Sequence, residues 1–353
     1  MLEIVTLTVG GRALPHKGCS LTASAEDPVR EASFNVIWTG AGVPCREDEE
    51  AIVSVSGRLW LTGYTRDVRG NHDEDSREYT VVVVSRTVDA TEASIDHPTG
   101  LKRNADLMAI AREFDIGGIG IEGNVETEVK DVHKIRPGET LFETLETEAR
   151  AQGVLIYDTP KGKLKFADKP AGRHAGALVR GHNIKRASGT ISGRGNFSKI
   201  ELRGQASFGV EDTALSPVGE AGGTAKRNRP LIRVHEGEAT SGRLKRRAAW
   251  EAKRAAGKNK ACAITVAGWR DAEGRLYAPN FLVEVRDDWL GIEQDMTIAS
   301  VTLTQASDEN GDGTSATLQL KDPRALGGEN PHGKSADGWA APAVPTPTFR
   351  TAG

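Results

Sequence analysis

The stretch AGWRDAEGRLYAPNFLVEVRDDWLGIEQDMTIASVTLTQASDENGDGTSATLQLKDPR, residues 267–324, decides the fold class. Its apolar residues recur through Phe281, Val283 and Val285, then Ile298, Val301 and Leu303, then Leu318 and Leu320, with Gly, Asp and Asn between the runs. A spacing near two puts one set of side chains on one face of a strand, and turn formers between such runs predict antiparallel sheet. The stretch has none of the residue clusters that carry chemistry.

Working outward, residues 2–90 follow the same grammar, with strands expected over Leu2 to Val9, Ile52 to Val55, Leu59 to Leu61 and Tyr79 to Val84. Between them, Ala32, Phe34, Val36 and Trp38 share one face, and Gly57-Arg58 separates two apolar runs at hairpin distance. Arg69 to Arg77 (RGNHDEDSR) is too charged for a core and is expected as a solvent-facing loop. Residues 1–95 are therefore assigned to a first small β-barrel.

After Ile95-Asp96-His97-Pro98 the character changes, and residues 96–182 are expected to form a small α+β domain. Asn104 is placed to cap a helix carrying Leu107, Ile110, Ala111 and Phe114, closed by Gly117-Gly118. A second helix is expected from Glu139-Thr140 through Leu141, Leu145 and Ala149 to Gly153, with Glu143, Glu146 and Glu148 outward. A hairpin, Val154 to Tyr157 and Leu164 to Phe166, turns at Pro160-Lys161-Gly162.

Residues 183–208 and 258–326 are expected to form a second β-barrel, with Lys199 to Leu202 its clearest early strand. Residues 209–257 are an inserted loop followed by a basic helix, Ser241 to Ala256, carrying Arg243, Lys245, Arg246, Arg247, Lys253 and Arg254. Residues 327–353, rich in Pro, Gly and Ala, are expected as an extended or disordered tail. The fold class is thus mainly β, with two antiparallel barrels, a small α+β domain and a helical insertion. The two strand-rich regions invite comparison as a duplication. Leu61 to Asp67, an acidic turn and Tyr79 to Arg86 parallel Ile298 to Gln305, an acidic turn and Thr314 to Arg324.

The chain's 353 residues suit two to four domains of ~100–200 residues each. Lys and Arg number 46 against 49 Asp and Glu, net -3, with the signs interspersed, which disfavours a general polyanion binder. No apolar run approaches the ~18 residues that span a bilayer, and MLEIVTLTVGG lacks the basic start of a signal peptide. A soluble chain made in a cytoplasm is expected, without membrane insertion. Cys19, Cys45 and Cys262 are an odd set with no C-x-x-C spacing, expected to be packed thiols. The 40 glycines against 15 prolines suit many tight turns.

Gly268-Trp269-Arg270, the Gly-containing turn, Pro279-Asn280 opening a strand, and the hairpin ending in Leu318 to Pro323 resemble the last barrel of Mu-like phage tail baseplate hub proteins. HKIRPGETLFETLETEARAQGVLIYDTPKGKLKFA, from His133, and the Asn183-Ile184 that follows are similar to other parts of the same family. The resemblance implies a structural hub of a contractile tail. In that family a hub homotrimer joins a sixfold tail tube to a threefold spike. It implies as partners the tube protein, the central spike and other baseplate proteins, at the virion tail baseplate, after assembly in the host bacterial cytoplasm.

Candidate chemistry is thin. Asp308-x-Asn310-x-Asp312-Gly313 opens like a calcium loop, but Gln319 stands where a bidentate Glu is needed and strands flank it, so a polar hairpin turn is expected. Gly118-x-Gly120-x-x-Gly123 follows a helix rather than a strand, against the order of a dinucleotide fingerprint. The eight histidines are scattered, with His174 and His182 expected as surface or loop residues. No catalytic residue, cofactor site or metal site is assigned, and no enzyme activity is expected. The alternative to a hub is a cell-wall binder, because Pro-Gly-Glu-Thr-Leu before a helix resembles the start of a LysM peptidoglycan-binding module. LysM needs a second helix, whereas Gly153 here passes straight to a hairpin. The basic helix could contact DNA in a tail lumen, but only Trp250 accompanies its charges, so a solvated or partner-contacting face is expected. Trp269, Trp289 and Tyr277 are expected as core anchors.

Overall fold

The structure, a computed structural model, describes residues 3–74, 77–205, 217–238, 241–306, 313–328 and 331–335. The first strand set holds β1 (Val5–Val9), β2 (Arg12–Leu14), β3 (His16–Ser24), β4 (Glu31–Val36), β5 (Glu50–Val55), β6 (Arg58–His72) and β7 (Arg77–Ser85). A 3-10 turn (Arg86–Val88) and α1 (Asp89–Glu92) lead to a unit of β8 (Leu101–Ala105), α2 (Leu107–Phe114), β9 (Ile121–Glu122), β10 (Lys130–Lys134), α3 (Leu141–Gln152), β11 (Leu155–Asp158) and β12 (Leu164–Ala167). The chain continues through β13 (Gly172–Val179), β14 (Ile184–Ile191), β15 (Lys199–Gln205), β16 (Val218–Gly222), β17 (Pro230–Glu238) and α4 (Ser241–Gly257). β18 (Lys260–Ala267), β19 (Phe281–Asp287), β20 (Ile292–Gln305), β21 (Thr314–Lys321) and a second 3-10 turn (Pro323–Leu326) follow.

The two strand-rich regions share a single 13-stranded sheet in the order β14-β18-β21-β20-β3-β4-β7-β6-β5-β1-β2, with β19 and then β13 branching from β20. The fold is mainly β, as expected. Among the described residues, however, the ladders form an open branched path, and neither expected barrel closes into a ring. The cause is β20, whose 14 residues outrun any single neighbour and take β19 along one half and β3 along the other. One apolar core follows from one sheet. Leu21, Phe34, Val53 and Val81 pack in the same cluster as Trp269, Val283, Leu303 and Leu318.

The α+β unit has its own core of Leu107, Ile110, Phe114, Leu141, Leu145 and Phe166. The cap of α2 is Asp106, whose carboxylate accepts the Ala109 N–H at 2.7 Å. Asn104, expected in that role, sits two residues too early, within β8 at φ 48°. α3 begins on a full capping box between Thr140 and Glu143 and ends at Gly153, which takes φ 79°. Glu148 does not face outward. It is buried, ion-paired to Lys130 of β10, because β10 covers that face of α3.

Lys199 to Leu202 does not join the second strand set. It lies in β15, the middle strand of a separate sheet ordered β16-β15-β17, and α4 packs Leu244 and Ala248 against Leu202. The insertion therefore starts near Ser192, whose N–H donates to Asn259 C=O where the chain rejoins the main sheet. Two glycines allow the close fit of α4. A Cβ on Gly219 would stand 2.2 Å from the backbone of Leu244, and one on Gly257 2.1 Å from Ala325 N. The charged stretch expected as a loop over Arg69 to Arg77 is strand as far as His72. Of the tail, residues 331–335 lie along β20, where Gly333 bridges Gln294 and Asp295 N–H donates to His332 C=O at 2.9 Å; residues 336–353 lie outside the described set.

β13 belongs to the main sheet through a parallel ladder with β19; His174 sits in the irregularity of that ladder between Arg173 and Ala177 and is buried at 2% exposure against Asp271, Tyr277, Ala278 and Phe281, whereas His182 is exposed. His174 Nδ1 lies 2.9 Å from Asp271 Oδ2, while Nε2 accepts the Ala278 N–H at 3.2 Å, beside the rings of Tyr277 and Phe281. An acceptor nitrogen requires the neutral ring. Burial depresses the His174 pKa, against the pull of Asp271. Below about pH 6.5 the unfolded chain binds a proton that the folded chain refuses, so stability should be complete above that pH and fall as pH drops toward the depressed value. Urea unfolding of His174→Gln, which keeps hydrogen-bonding capacity without titrating, should show a shallower decline across this window. His16, also depressed by burial, adds slope of the same sign, while Asp158, raised by burial to about 6, adds slope of the opposite sign as pH falls through that value.

Candidate functional site

The place where the two strand sets meet is the most built polar and apolar contact in the molecule. Ile292 to Thr297 of β20 pair with β19; after an irregularity between Ile298 and Ser300, Ser300 to Gln305 pair with Ser24 to Cys19 of β3. Leu303 faces Leu21 and Val301 faces Ala23, all four buried. The Thr22 and Thr302 hydroxyls lie 3.2 Å apart. Beyond the ladder's end, Arg270 donates to both carboxylate oxygens of Glu3 at 2.6 and 2.7 Å, and Ser56 Oγ donates to Glu3 at 2.6 Å. The Arg270 contacts chiefly hold the Glu3 carboxyl below its usual range, despite its burial. Gln305 accepts the Glu3 N–H and donates to the Glu3 C=O, so the N-terminal segment is tied to the second strand set on both sides.

The two sets are built alike. Strand order runs β3-β4-β7-β6-β5-β1 in one and β14-β18-β21-β20-β19-β13 in the other, and a 3-10 turn follows both β7 and β21. One row across the first set joins Cys19, Phe34, Val81 and Val68; its counterpart joins Ala187, Ile264, Leu318 and Val301. Register irregularities fall at matching places: His16/Gly18 with Ile184/Arg186, and Thr65/Asp67 with Ile298/Ser300. Bulges are positional features, so their coincidence fixes the alignment of the two sets residue by residue. The hairpins compared in the sequence are the matched ones, with Asp67 answering to Ser300. The sets differ at one edge, where β1 meets β5 antiparallel and β13 meets β19 parallel.

The remaining candidates are structural parts. Asp115 accepts the N–H groups of Ile119 and Gly120 at 2.9 and 2.7 Å, occupying the donors that a phosphate would use in the Gly118–Gly123 connection. The opening residues of the calcium-like loop, Asp308, Asn310 and Asp312, lie outside the described residues. Burial raises all three thiols, Cys19 to about 11 and Cys262 to about 12, far from a reactive thiolate. Trp269 and Tyr277 are buried, and Trp269 Nε1 donates to Ser315 C=O at 2.9 Å. Trp289 is not a core residue. It is 80% exposed on the turn after β19, with Arg180 stacked 5.6 Å from its ring.

α4 is fastened to the rest of the chain by its charges. Arg246 pairs with Glu128, Arg247 and Arg233 converge on Glu251, and Arg254 donates to Ala325 C=O while lying 4.8 Å from the Trp250 ring. After α3, Gly153 leads directly into β11, so the β-α-α-β order of LysM is not present here. Among the described residues no helix is long and apolar enough to cross a membrane.

Known proteins that the chain resembles are all phage tail and baseplate proteins. Residues 89–168 match the model of the second domain of gp44-like baseplate hub proteins, and residues 240–329 that of the fourth domain of the Mu phage baseplate assembly protein GpP. The chain is 27% identical over 341 residues to baseplate hub protein gp44 of Escherichia phage Mu, spanning 90% of this chain and 88% of that protein. It superposes on the 43 kDa tail protein of prophage MuSo2 from Shewanella oneidensis with TM-score 0.79 and 28% identity, covering 92% of this chain and 99% of that one. A tail protein from Neisseria meningitidis MC58 shares the fold at TM-score 0.76 and 19% identity, over 93% of this chain and all of that one (100%).

The weight of the internal junction is measurable. Leu303→Ala should lower unfolding free energy by about 2–5 kcal/mol in urea titration. Thr302→Val, which replaces only the hydroxyl that meets Thr22 by a methyl group, should cost about 1 kcal/mol.

Proposed function

We propose that this chain, similar over most of its length to Mu-like phage tail baseplate hub proteins, is the structural hub of a contractile phage or phage-like tail, acting as a homotrimer that adapts a sixfold tail tube to a threefold spike. Its place is the virion tail baseplate, after assembly in the host bacterial cytoplasm. Its work is contact and symmetry, with no catalytic step. The supporting observation is the pair of like strand sets in one sheet: three chains present six similar sets around an axis, which suits a sixfold ring on one side and a threefold partner on the other.

The tail tube protein and the central spike are the partners on these two sides, with other baseplate proteins around the rim. Closure of the tube-like wall, not made among the described residues of the single chain, belongs to the assembly. No specific observation favours the alternative of a LysM-like cell-wall binder. Contact with lumen DNA through α4 gains little support, since Arg246 and Arg254 are already engaged within the chain.

Light scattering of the purified chain, alone and with a candidate spike protein, should give three chain masses and a spike complex of matching stoichiometry. A chain that stays monomeric at all concentrations, with and without spike, would overturn the trimer.

A further inference from the structure

The alignment of the two strand sets shows which edges of the sheet lack in the single chain the neighbour that their counterparts have. In the second set, Ser300 to Gln305 of β20 are flanked by β21 on one edge and β3 on the other. The matching residues of the first set, Asp67 to His72 of β6, pair only with β7 among the described residues, since β5 stops opposite Tyr64. At the opposite end of the sheet, β14 is the counterpart of β3 and pairs only with β18 among the described residues. Burial follows the difference. Cys19, Leu21 and Ala23 of β3 are buried, whereas Gly189 and Ile191 of β14 are exposed, as are Arg69 to His72 of β6.

Resting on the self-association read above, we propose that β14 of one chain pairs antiparallel with the second half of β6 of a neighbouring chain, in the register that β3 and β20 use within a chain. Transfer of that register sets Ile191 opposite Val68, Thr190 opposite Arg69, Gly189 opposite Gly70, Ser188 opposite Asn71 and Ala187 opposite His72. A long, exposed edge carrying no proline is a template for strand addition, and each chain has both halves of this contact at different places. The interface is therefore head-to-tail, the kind that generates rings. Beyond the ladder, Lys185 and Arg186 at the start of β14 would lie alongside Asp73 and Glu74 at the tip after β6, opposite charges at the matching point.

Cysteine pairs test the register. Directly opposed residues have Cβ atoms ~4.5–5.5 Å apart, within reach of a disulfide, whereas a slip of two residues adds about 6.6 Å and puts them out of reach. Asn71 and Ser188 are both exposed, so the double variant N71C/S188C should fold, with single variants and light scattering as the check. The native cysteines are buried and should stay silent. On mild oxidation with diamide, N71C/S188C should run mostly as covalent trimer on a non-reducing gel, and the displaced pair N71C/T190C should stay mostly monomeric. A trimer in which the first pair fails to link, or the second links as well as the first, overturns the register and leaves the trimer standing. Covalent ladders longer than three chains would support the edge pairing and overturn the threefold closure. A chain that never associates overturns both.

Discussion

The structure depends on the pairing of β20 with β3. A strand of 14 residues carries more backbone donors and acceptors than one neighbour can meet, and buried groups of this kind must be paired. β19 satisfies the first half of one edge of β20 and β3 the second half, so the N-terminal set completes a ladder begun some 280 residues later in the chain. The consequences are large. Two sets that could each have sought a separate closure share one core, and the buried Glu3 is drawn into a pair with the half-buried Arg270 that ties the start of the chain to the second set.

The other parts hang on this frame by fewer contacts. The α+β unit docks through Arg30, whose guanidinium meets Asp158 at 3.1 Å, donates to Trp60 C=O at 2.7 Å and stacks over the Trp60 ring. Burial pushes the Asp158 carboxyl up to about 6 against the pull of Arg30, so desolvation outweighs the attraction. Such a pair fixes where β11 sits more than it adds to stability. The tail segment docks similarly, with buried Lys260 bonded to Gln294 and to the Ser335 carbonyl. The frame is apolar and continuous; the attachments are local, and beside these polar contacts Leu155 of β11 packs on Ala25, Ala299 and Leu326.

Much of this was legible from residues alone, for reasons that also explain the misses. The period-two runs identified the strands, and the Thr140/Glu143 box and Gly153 bracketed α3, because those signals are local. Even the bulge left a trace. Ile298 and Val301 stand three apart in a run otherwise spaced by two, as one unpaired residue between them demands. What could not be read was the choice of neighbour. Lys199 to Leu202 is equally strand-like in either sheet, and only the fit of α4 over Gly219 decides between them. His174 looked ordinary because its burial comes from Asp271, Tyr277, Ala278 and Phe281, far away in the chain. Trp289 was misplaced by composition: a tryptophan is usually buried, and this one is 80% exposed on the turn after β19, stacked with Arg180.

The two junctions, one observed and one proposed, share a register but not a chemistry. Within the chain, Leu21 faces Leu303, and Glu3, Arg270, Ser56 and Gln305 seal the end, a set that forms as the chain folds and has no competitor. Between chains, Gly189 would face Gly70, His72 stands where Gln305 stands, and basic residues at the head of β14 meet an acidic tip. The first contact is apolar and buried; the second is backbone-dominated and charged, so salt should weaken it while sparing the first. Such a division suits a part that must fold before it is counted into a ring. A monomer with two leucine-lined edges would aggregate, whereas glycine and charge on the open edges keep the free chain apart until the orientation is right.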